Sequence, residues 1–187
     1  MTVHALLATL SGVVLATFAG SQARHEPVKT KVTELQPFTV VGISARTTNA
    51  KEMSGQGVIG KQWERLMKEN LLSKIPNRSD ANTIALYTDY ENDANGAYTV
   101  ILGAKVSSAE DVPTGMVAVK VPAGKYTVFT SGRGPVGKVV PETWSRIWTS
   151  AKSALGGART YKTDFELYDQ RSADPQNAQV DIYVGIK

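Results

Sequence analysis

Hydrophobic and polar positions along the chain follow two rhythms, one typical of helices and one typical of strands. Apolar residues spaced i, i+3 and i+4 predict amphipathic helices at about residues 58–73 and 139–154. Branched and aromatic residues between turn-rich segments predict strands. The predicted strands are 38–47, 83–90, 97–106, 116–121 with 124–131, 162–169 and 179–186.

The order of these elements is strand–helix–strand–strand, and it occurs twice. Each half can form a three-stranded antiparallel layer with one helix against it, but neither half can bury its apolar face alone. The sequence therefore predicts an α+β domain of duplicated strand–helix–strand–strand units, with an antiparallel sheet, two helices and a cleft between the halves. Small-molecule sites usually lie in such clefts.

The segment 162–169 has the most informative alternation. Its period of two places Phe165 and Leu167 on one face and Asp164, Glu166 and Tyr168 on the other. If the second face borders a concavity, it offers a carboxylate beside an aromatic ring, which suits an organic cation. The alternative is a strand face that is simply solvated.

The chain divides into three parts by composition. Residues 1–23 contain no Lys, Arg, Asp or Glu and include an apolar run of signal-peptide length, with small residues before a cleavage point after Ala23. They predict an export signal, with an uncleaved membrane anchor as the alternative. Residues 24–36 predict a polar tether, and residues 37–187 the folded domain. The expected location is periplasmic or secreted, with membrane contact only through an uncleaved leader.

Composition excludes several kinds of chemistry. The chain has no cysteine, so disulfides, thiolate nucleophiles and cysteine-bound metals are excluded. Its two histidines, His4 and His25, precede the predicted domain, which leaves carboxylates, Tyr, Lys and Ser for catalysis there. The net charge of +4 comes from Lys and Arg scattered singly, which is weak support for a nucleic-acid partner. No cofactor is expected.

The chain resembles the GyrI-like or AraC-type effector-binding domain family. The resemblance covers about residues 36–187 and rests on the duplicated element order together with three segments: 121–126, 165–169 and 180–187. It implies a cleft that binds drug-like, often cationic molecules. It also implies that Glu166 carries the site, as the matching Glu does in multidrug-sensing relatives. Regulators of this family place a helix-turn-helix domain before this one, where this chain has the predicted leader and tether.

The predicted ligand-binding residues surround Glu166. Tyr183 is expected to share its face if the last two strands form a hairpin, and further walls are expected from aromatic residues on the other elements. Each has a purely structural alternative: an ion pair with Lys162 or Arg159 for Glu166, and core packing for the rings. Trp148 is predicted to be core. The predicted site comprises Glu166, Tyr168, Tyr183, Trp144, Tyr126 and Tyr98.

These features favour an exported single-domain protein that sequesters or senses an amphipathic, cationic organic ligand and is not an enzyme. One alternative is a hydrolase of reactive small molecules in which Glu166 activates water. Another is a module that binds a protein partner in the cell envelope. The sequence leaves the oligomeric state open.

Overall fold

The computed structural model describes residues 29–187, so the predicted leader and the first residues of the tether lie outside the described part. Within these residues there are three α-helices, one more than predicted: α1 (Asn49–Met53), α2 (Ile59–Lys68) and α3 (Val136–Thr149). No helix in the described part has both the length and the apolar character needed to cross a membrane. The strands are β1 (Lys29–Leu35), β2 (Phe38–Thr48), β3 (Thr83–Thr88), β4 (Ala97–Val106), β5 (Val117–Val121), β6 (Gly124–Thr130), β7 (Arg159–Tyr168) and β8 (Asp181–Ile186).

All eight strands form one antiparallel sheet in the order β1-β6-β8-β7-β3-β4-β2-β5. The units β2-α2-β3-β4 and β6-α3-β7-β8 occupy its two halves and meet where β3 pairs with β7. Each unit contributes three adjacent strands, so the halves are related by a pseudo-two-fold axis between β3 and β7. The predicted α+β class and its duplication are confirmed.

The strand that precedes each unit crosses to the other half. β1 pairs with β6 of the second unit, and β5 pairs with β2 of the first. This exchange overturns the prediction of a tether across 29–35, because those residues form an edge strand in register with β6 from Lys29↔Thr130 to Leu35↔Gly124. The segment has a polar composition because it is an edge strand with little burial; even Val32 is 55% exposed.

The two faces of the sheet carry separate apolar clusters. On one face, α2 and α3 cover strand residues such as Tyr87 and Ile182, and Leu66 and Ile147 are the fully buried helix residues in this cluster. On the other face, residues of the sheet itself pack around Phe165. Both helices therefore lie on one side of the sheet, and the space between them is closed below by β3 and β7.

Both helices end earlier than their apolar rhythm predicts. α2 ends at Lys68, and the left-handed Asn70 (φ 49°) turns the chain into a single 3-10 turn over Leu71–Lys74. α3 ends at Thr149 because Ser150 is extended and the Thr149 and Ser150 hydroxyls donate to carbonyls of the last turn. Trp148, predicted to be core, is 41% exposed and stacks on Trp144.

β2 and β4 approach each other closely at a glycine pair. Gly42 and Gly103 are direct cross-strand partners, and a Cβ added to Gly103 would lie 2.6 Å from the Gly42 Cα atom. Larger residues at this point would force the strands apart, so the glycine pair permits the close spacing of β2 and β4.

Candidate functional site

A large cavity lies between α2 and α3, with β3 and β7 as its floor. Its volume is about 1510 Å³, larger than the roughly 300–1,000 Å³ of typical small-molecule pockets. Residues from both halves line it, so it is the predicted cleft. Seven of its lining residues are aromatic: Trp63, Tyr87, Tyr90, Tyr98, Trp144, Trp148 and Tyr168.

The floor follows from the alternation in β7. Glu166 and Tyr168 line the cavity, whereas Phe165 and Leu167 pack in the cluster on the opposite face. The predicted division of this strand into two faces is therefore confirmed. On the cavity side, Glu166 is 2% exposed.

Three side chains donate hydrogen bonds to the Glu166 carboxylate. The Trp144 Nε1–H and the Tyr87 hydroxyl donate to Oε1, over 2.6 and 2.9 Å. The Tyr168 hydroxyl donates to Oε2 over 2.7 Å. The donors come from α3, β3 and β7, so both halves of the fold hold this one group. Because each donor is neutral, the carboxylate is hydrogen-bonded without being neutralised.

Burial raises the pKa of Glu166 above its ordinary value, and the three hydrogen bonds from Tyr168, Trp144 and Tyr87 oppose that rise. Burial and the neighbouring Glu166 charge also raise the pKa of the Tyr87 and Tyr168 hydroxyls, which keeps both protonated as donors. A cation placed beside Glu166 would favour the ionised carboxylate.

The alternative partners for Glu166 do not pair with it. The Arg159 Nη2 atom lies 2.5 Å from Asp164 Oδ2, and Lys162 is exposed. In residues 29–187, no ion pair involves Glu166. The two carboxylates of β7 therefore differ. Asp164 pairs with the cation Arg159, whereas Glu166 pairs with no cation in the described part of the chain.

Asp164 and Arg159 form a second buried group beside the cavity. Asp164 is fully buried and also accepts hydrogen bonds from the Tyr90 hydroxyl (2.8 Å) and the Gly185 backbone N–H (2.9 Å). The Arg159 guanidinium lies 4.3 Å from the centre of the Tyr161 ring and 5.9 Å from that of Trp144. This group is a carboxylate and a cation enclosed by aromatic rings.

The cavity walls are built from contacting rings. Trp63 on α2 packs against Tyr168 at 4.8 Å between ring centres, and Tyr87 packs against Trp144 at 5.5 Å. Tyr98 contacts Tyr87 at 5.8 Å, and its hydroxyl donates to Asn49 Oδ1. Of the predicted site residues, the structure brings Glu166, Tyr168, Trp144 and Tyr98 together around this cavity.

Tyr183 and Tyr126 lie on the other face of the sheet. The β7–β8 register pairs Tyr183 with Phe165, and their rings stack at 4.3 Å. Tyr126 packs against Phe165 at 5.7 Å and belongs to the same cluster. The prediction that Tyr183 shares a face with Glu166 is wrong, because the register places Ile182 opposite Glu166.

Sequence reasoning missed two parts of the site. Tyr90 follows Asp89, whose left-handed φ of 49° breaks the strand alternation. Arg159 is separated from Asp164 by an irregularity in β7, where Tyr161 has φ 50°. In both places the backbone departs from the period of two on which strand-face predictions depend. Non-glycine residues at positive φ leave only a weak signal in sequence.

A family model described as "Cass2: Integron-associated effector binding protein" matches residues 31–186. Two bacterial proteins are similar in sequence to the chain. YobU of Bacillus subtilis is 41% identical over 157 residues, which are 83% of this chain and 96% of that protein. The transcriptional regulator BrlR of Pseudomonas aeruginosa is 32% identical over 175 residues, 92% of this chain; the match spans 60% of BrlR.

Solved structures share the fold. The integron cassette protein VCH_CASS2 of Vibrio cholerae has a TM-score of 0.65 and 32% identity, covering 84% of this chain and 95% of that one. SAV2435, solved bound to tetraphenylphosphonium, has a TM-score of 0.70 and 18% identity, covering 85% of this chain and 94% of that one. The resemblance to effector-binding domains drawn from the sequence is confirmed by the family model that matches residues 31–186.

Proposed function

Because the chain belongs to the Cass2 family of integron-associated effector binding proteins, we propose that it binds an amphipathic organic cation in the cavity between α2 and α3. The observation that carries the proposal is Glu166: a 2% exposed carboxylate with three neutral donors and, within residues 29–187, no cationic partner. SAV2435, a protein of the same fold, is solved with tetraphenylphosphonium, which is such a cation.

The energetics favour a cation over a neutral analogue. Transferring a carboxylate out of water costs several kcal/mol unless its charge is compensated. Three hydrogen bonds offset part of that cost, and a bound positive charge would offset more of it. The faces of Trp63, Trp144 and Tyr168 would each contribute about 0.5–2 kcal/mol through cation–π contact. Apolar groups of the ligand would fill the remaining aromatic volume.

Two ions of the same shape and opposite charge test this proposal. Tetraphenylphosphonium and tetraphenylborate both carry four phenyl groups, so their affinities differ mainly through charge. We expect tetraphenylphosphonium to bind, and tetraphenylborate to bind far more weakly, in calorimetric titrations at neutral pH. Equal affinity for the two ions would refute a role for Glu166 in recognising charge.

Glu166→Gln removes the charge while keeping a side chain of the same size. We expect this variant to lose most of its preference for the cation, by roughly 1.5–3 kcal/mol, or about 10- to 150-fold in affinity. Glu142→Gln is the matched control, because Glu142 lies on α3 and pairs with Lys138 at the surface. If Glu166→Gln binds tetraphenylphosphonium as tightly as the native chain does, another group recognises the cation.

We further propose that the protein sequesters or senses its ligand without converting it. The described part of the chain contains no histidine, and Glu166 is held by three donors, which favours recognition over proton transfer. Ligand recovered after prolonged incubation should have an unchanged chromatographic mobility. A new product that requires Glu166 would favour the hydrolase instead.

Export remains part of the proposal and is tested separately. The apolar composition of residues 1–23 supports a signal peptide that is cleaved after Ala23. Mass measurement of the protein purified from its native host should then give a chain that begins at Arg24. An intact chain in the cytoplasm would contradict export and leave the ligand-binding proposal unaffected.

A further inference from the structure

The charged groups of the cavity differ in how deeply they are buried and in whether a charge of opposite sign pairs with them. Four charged side chains line it in the described part of the chain: Glu52, Arg159, Glu166 and Asp169. Asp169 pairs with Arg171 at 2.8 Å and shares it with Asp181, which lies 2.7 Å from the same Nη2 atom. Glu52 accepts hydrogen bonds from the Val58 and Ile59 backbone N–H groups (2.8 and 3.3 Å) at the start of α2, where the helix dipole is positive.

Arg159 is compensated by Asp164, its partner within β7. Within residues 29–187, Glu166 is therefore the one fully buried carboxylate at the cavity that has no ion-pair partner; Glu52, which also has none there, is only partly buried. The aromatic surroundings have a low effective dielectric, so an extra unpaired charge of either sign is costly there.

We propose that the cavity accepts ligands with one positive charge and discriminates against dications, and that Arg159 sets this limit. The inference rests on the proposed function and specifies its ligand class. Arg159 is a specificity-determining residue in this view: it stabilises the second buried carboxylate, which would otherwise be available to a second cationic group of the ligand.

The contacts of Arg159 resemble those expected of a bound cation. Its side chain is 6% exposed, its Nη2 atom contacts a buried carboxylate, and its guanidinium carbon lies 4.3 Å from the Tyr161 ring centre. Trp144 joins the two sites, because its Nε1–H donates to Glu166 and its ring lies 5.9 Å from the Arg159 guanidinium carbon. A ligand with two cationic groups would therefore meet the permanent charge of Arg159 beyond Trp144.

Matched dyes test the inference on the native chain. Crystal violet is a triarylmethane monocation, and methyl green is the dication in which one of its dimethylamino groups is quaternised. Ethyl violet adds bulk without adding charge and controls for size. We expect methyl green to bind at least about tenfold more weakly than both monocations, which corresponds to about 1.4 kcal/mol.

Two outcomes on the native chain would overturn the inference. One is methyl green binding as tightly as crystal violet; the other is the failure of all three dyes while tetraphenylphosphonium binds, because selection would then depend on shape. Failure of tetraphenylphosphonium itself to bind would instead remove the proposed function. The two proposals can therefore fail separately.

Variants that change the charge count provide the second test. Arg159→Met leaves two buried carboxylates, and we expect the preference to shift at least about tenfold towards methyl green. Asp164→Asn leaves Arg159 unpaired and should weaken both dyes. The double variant, Arg159→Met with Asp164→Asn, returns the count to one negative charge and should again favour crystal violet.

Arg65→Met is the matched control, because Arg65 pairs with Glu69 at the surface of α2 and its loss changes the total charge equally. Circular dichroism establishes that each variant is folded before its affinities are compared. An Arg159→Met variant that is folded and keeps the native ratio of dye affinities would overturn the role of Arg159. If that variant does not fold, the double variant and the native comparison still decide the matter.

Discussion

A single carboxylate shows how opposing effects are balanced at the residue scale. Burial favours the protonated form of Glu166, whereas donors on Trp144, Tyr87 and Tyr168 favour the ionised form. Burial is the larger effect, so the pKa is raised. The folded chain consequently holds the Glu166 proton more tightly than the unfolded chain does.

Stability should therefore depend on pH through Glu166. Below about pH 4.3, the ordinary value for Glu, the group is protonated in both states; as pH rises through the raised pKa, the unfolded state ionises first and the native fold loses stability. Glu166→Gln lacks this loss. The native free energy of unfolding minus that of the variant should fall as pH increases from 4 to 8 in urea titrations. Parallel pH profiles would show that the pKa of Glu166 is not raised.

Removing one donor should destabilise the buried charge. Tyr168→Phe keeps the ring that packs on Trp63 but leaves Glu166 Oε2 without its hydroxyl partner. We expect a loss of about 1–3 kcal/mol in the free energy of unfolding at neutral pH. Tyr183→Phe is the control, because that ring lies on the opposite face against Phe165. Equal losses in both variants would indicate that the Tyr168 hydroxyl does not support the carboxylate.

Strand alternation explains at the element scale why part of the site could be predicted. Within β7 the period of two is local, so the shared face of Glu166 and Tyr168 follows from the sequence alone. Tyr183 belongs to another strand, and its face depends on the β7–β8 register, which a single sequence does not fix. The prediction that Trp148 is core was wrong for another reason. The apolar face of α3 borders both the core and the aromatic cavity, and the helical spacing of apolar residues is the same for both.

The Gly42–Gly103 pair leads to a prediction about the first half of the sheet. A methyl group at residue 103 would collide with the backbone of β2, so Gly103→Ala should lower the free energy of unfolding by at least about 1–3 kcal/mol. Gly60→Ala is the matched control, since in residues 29–187 no atom outside the adjoining helix backbone lies within 4 Å of the added carbon, and α2 should gain stability. Chemical denaturation measures both. A neutral Gly103→Ala would mean that β2 and β4 can separate freely.

At the scale of the whole molecule, duplication was predictable from the order of elements, but the exchange of leading strands was not. Residues 29–35 contain Lys, Thr and Glu, and their order comes from backbone pairing with β6. Composition cannot reveal such pairing, because an edge strand has little buried surface to mark it. The domain predicted to start at residue 37 therefore lacks one of its eight strands.

A truncation tests the contribution of β1. A chain of residues 37–187 would leave the β6 edge unpaired and remove Leu35 from the cluster around Phe165. We expect it to melt at a lower temperature than a chain of residues 24–187 and to self-associate, because an exposed strand edge invites pairing. Thermal unfolding and light scattering provide the comparison. Equal melting temperatures would show β1 to be dispensable.

The pseudo-two-fold axis relates strands that differ in one decisive respect. Directly across from Glu166, β3 presents Ala85, so the second half supplies a carboxylate where the first supplies only a methyl group. Glu166 therefore has no carboxylate directly across from it on β3. The ligand should accordingly bind with one-to-one stoichiometry and in a single preferred orientation, with its positive charge towards Glu166.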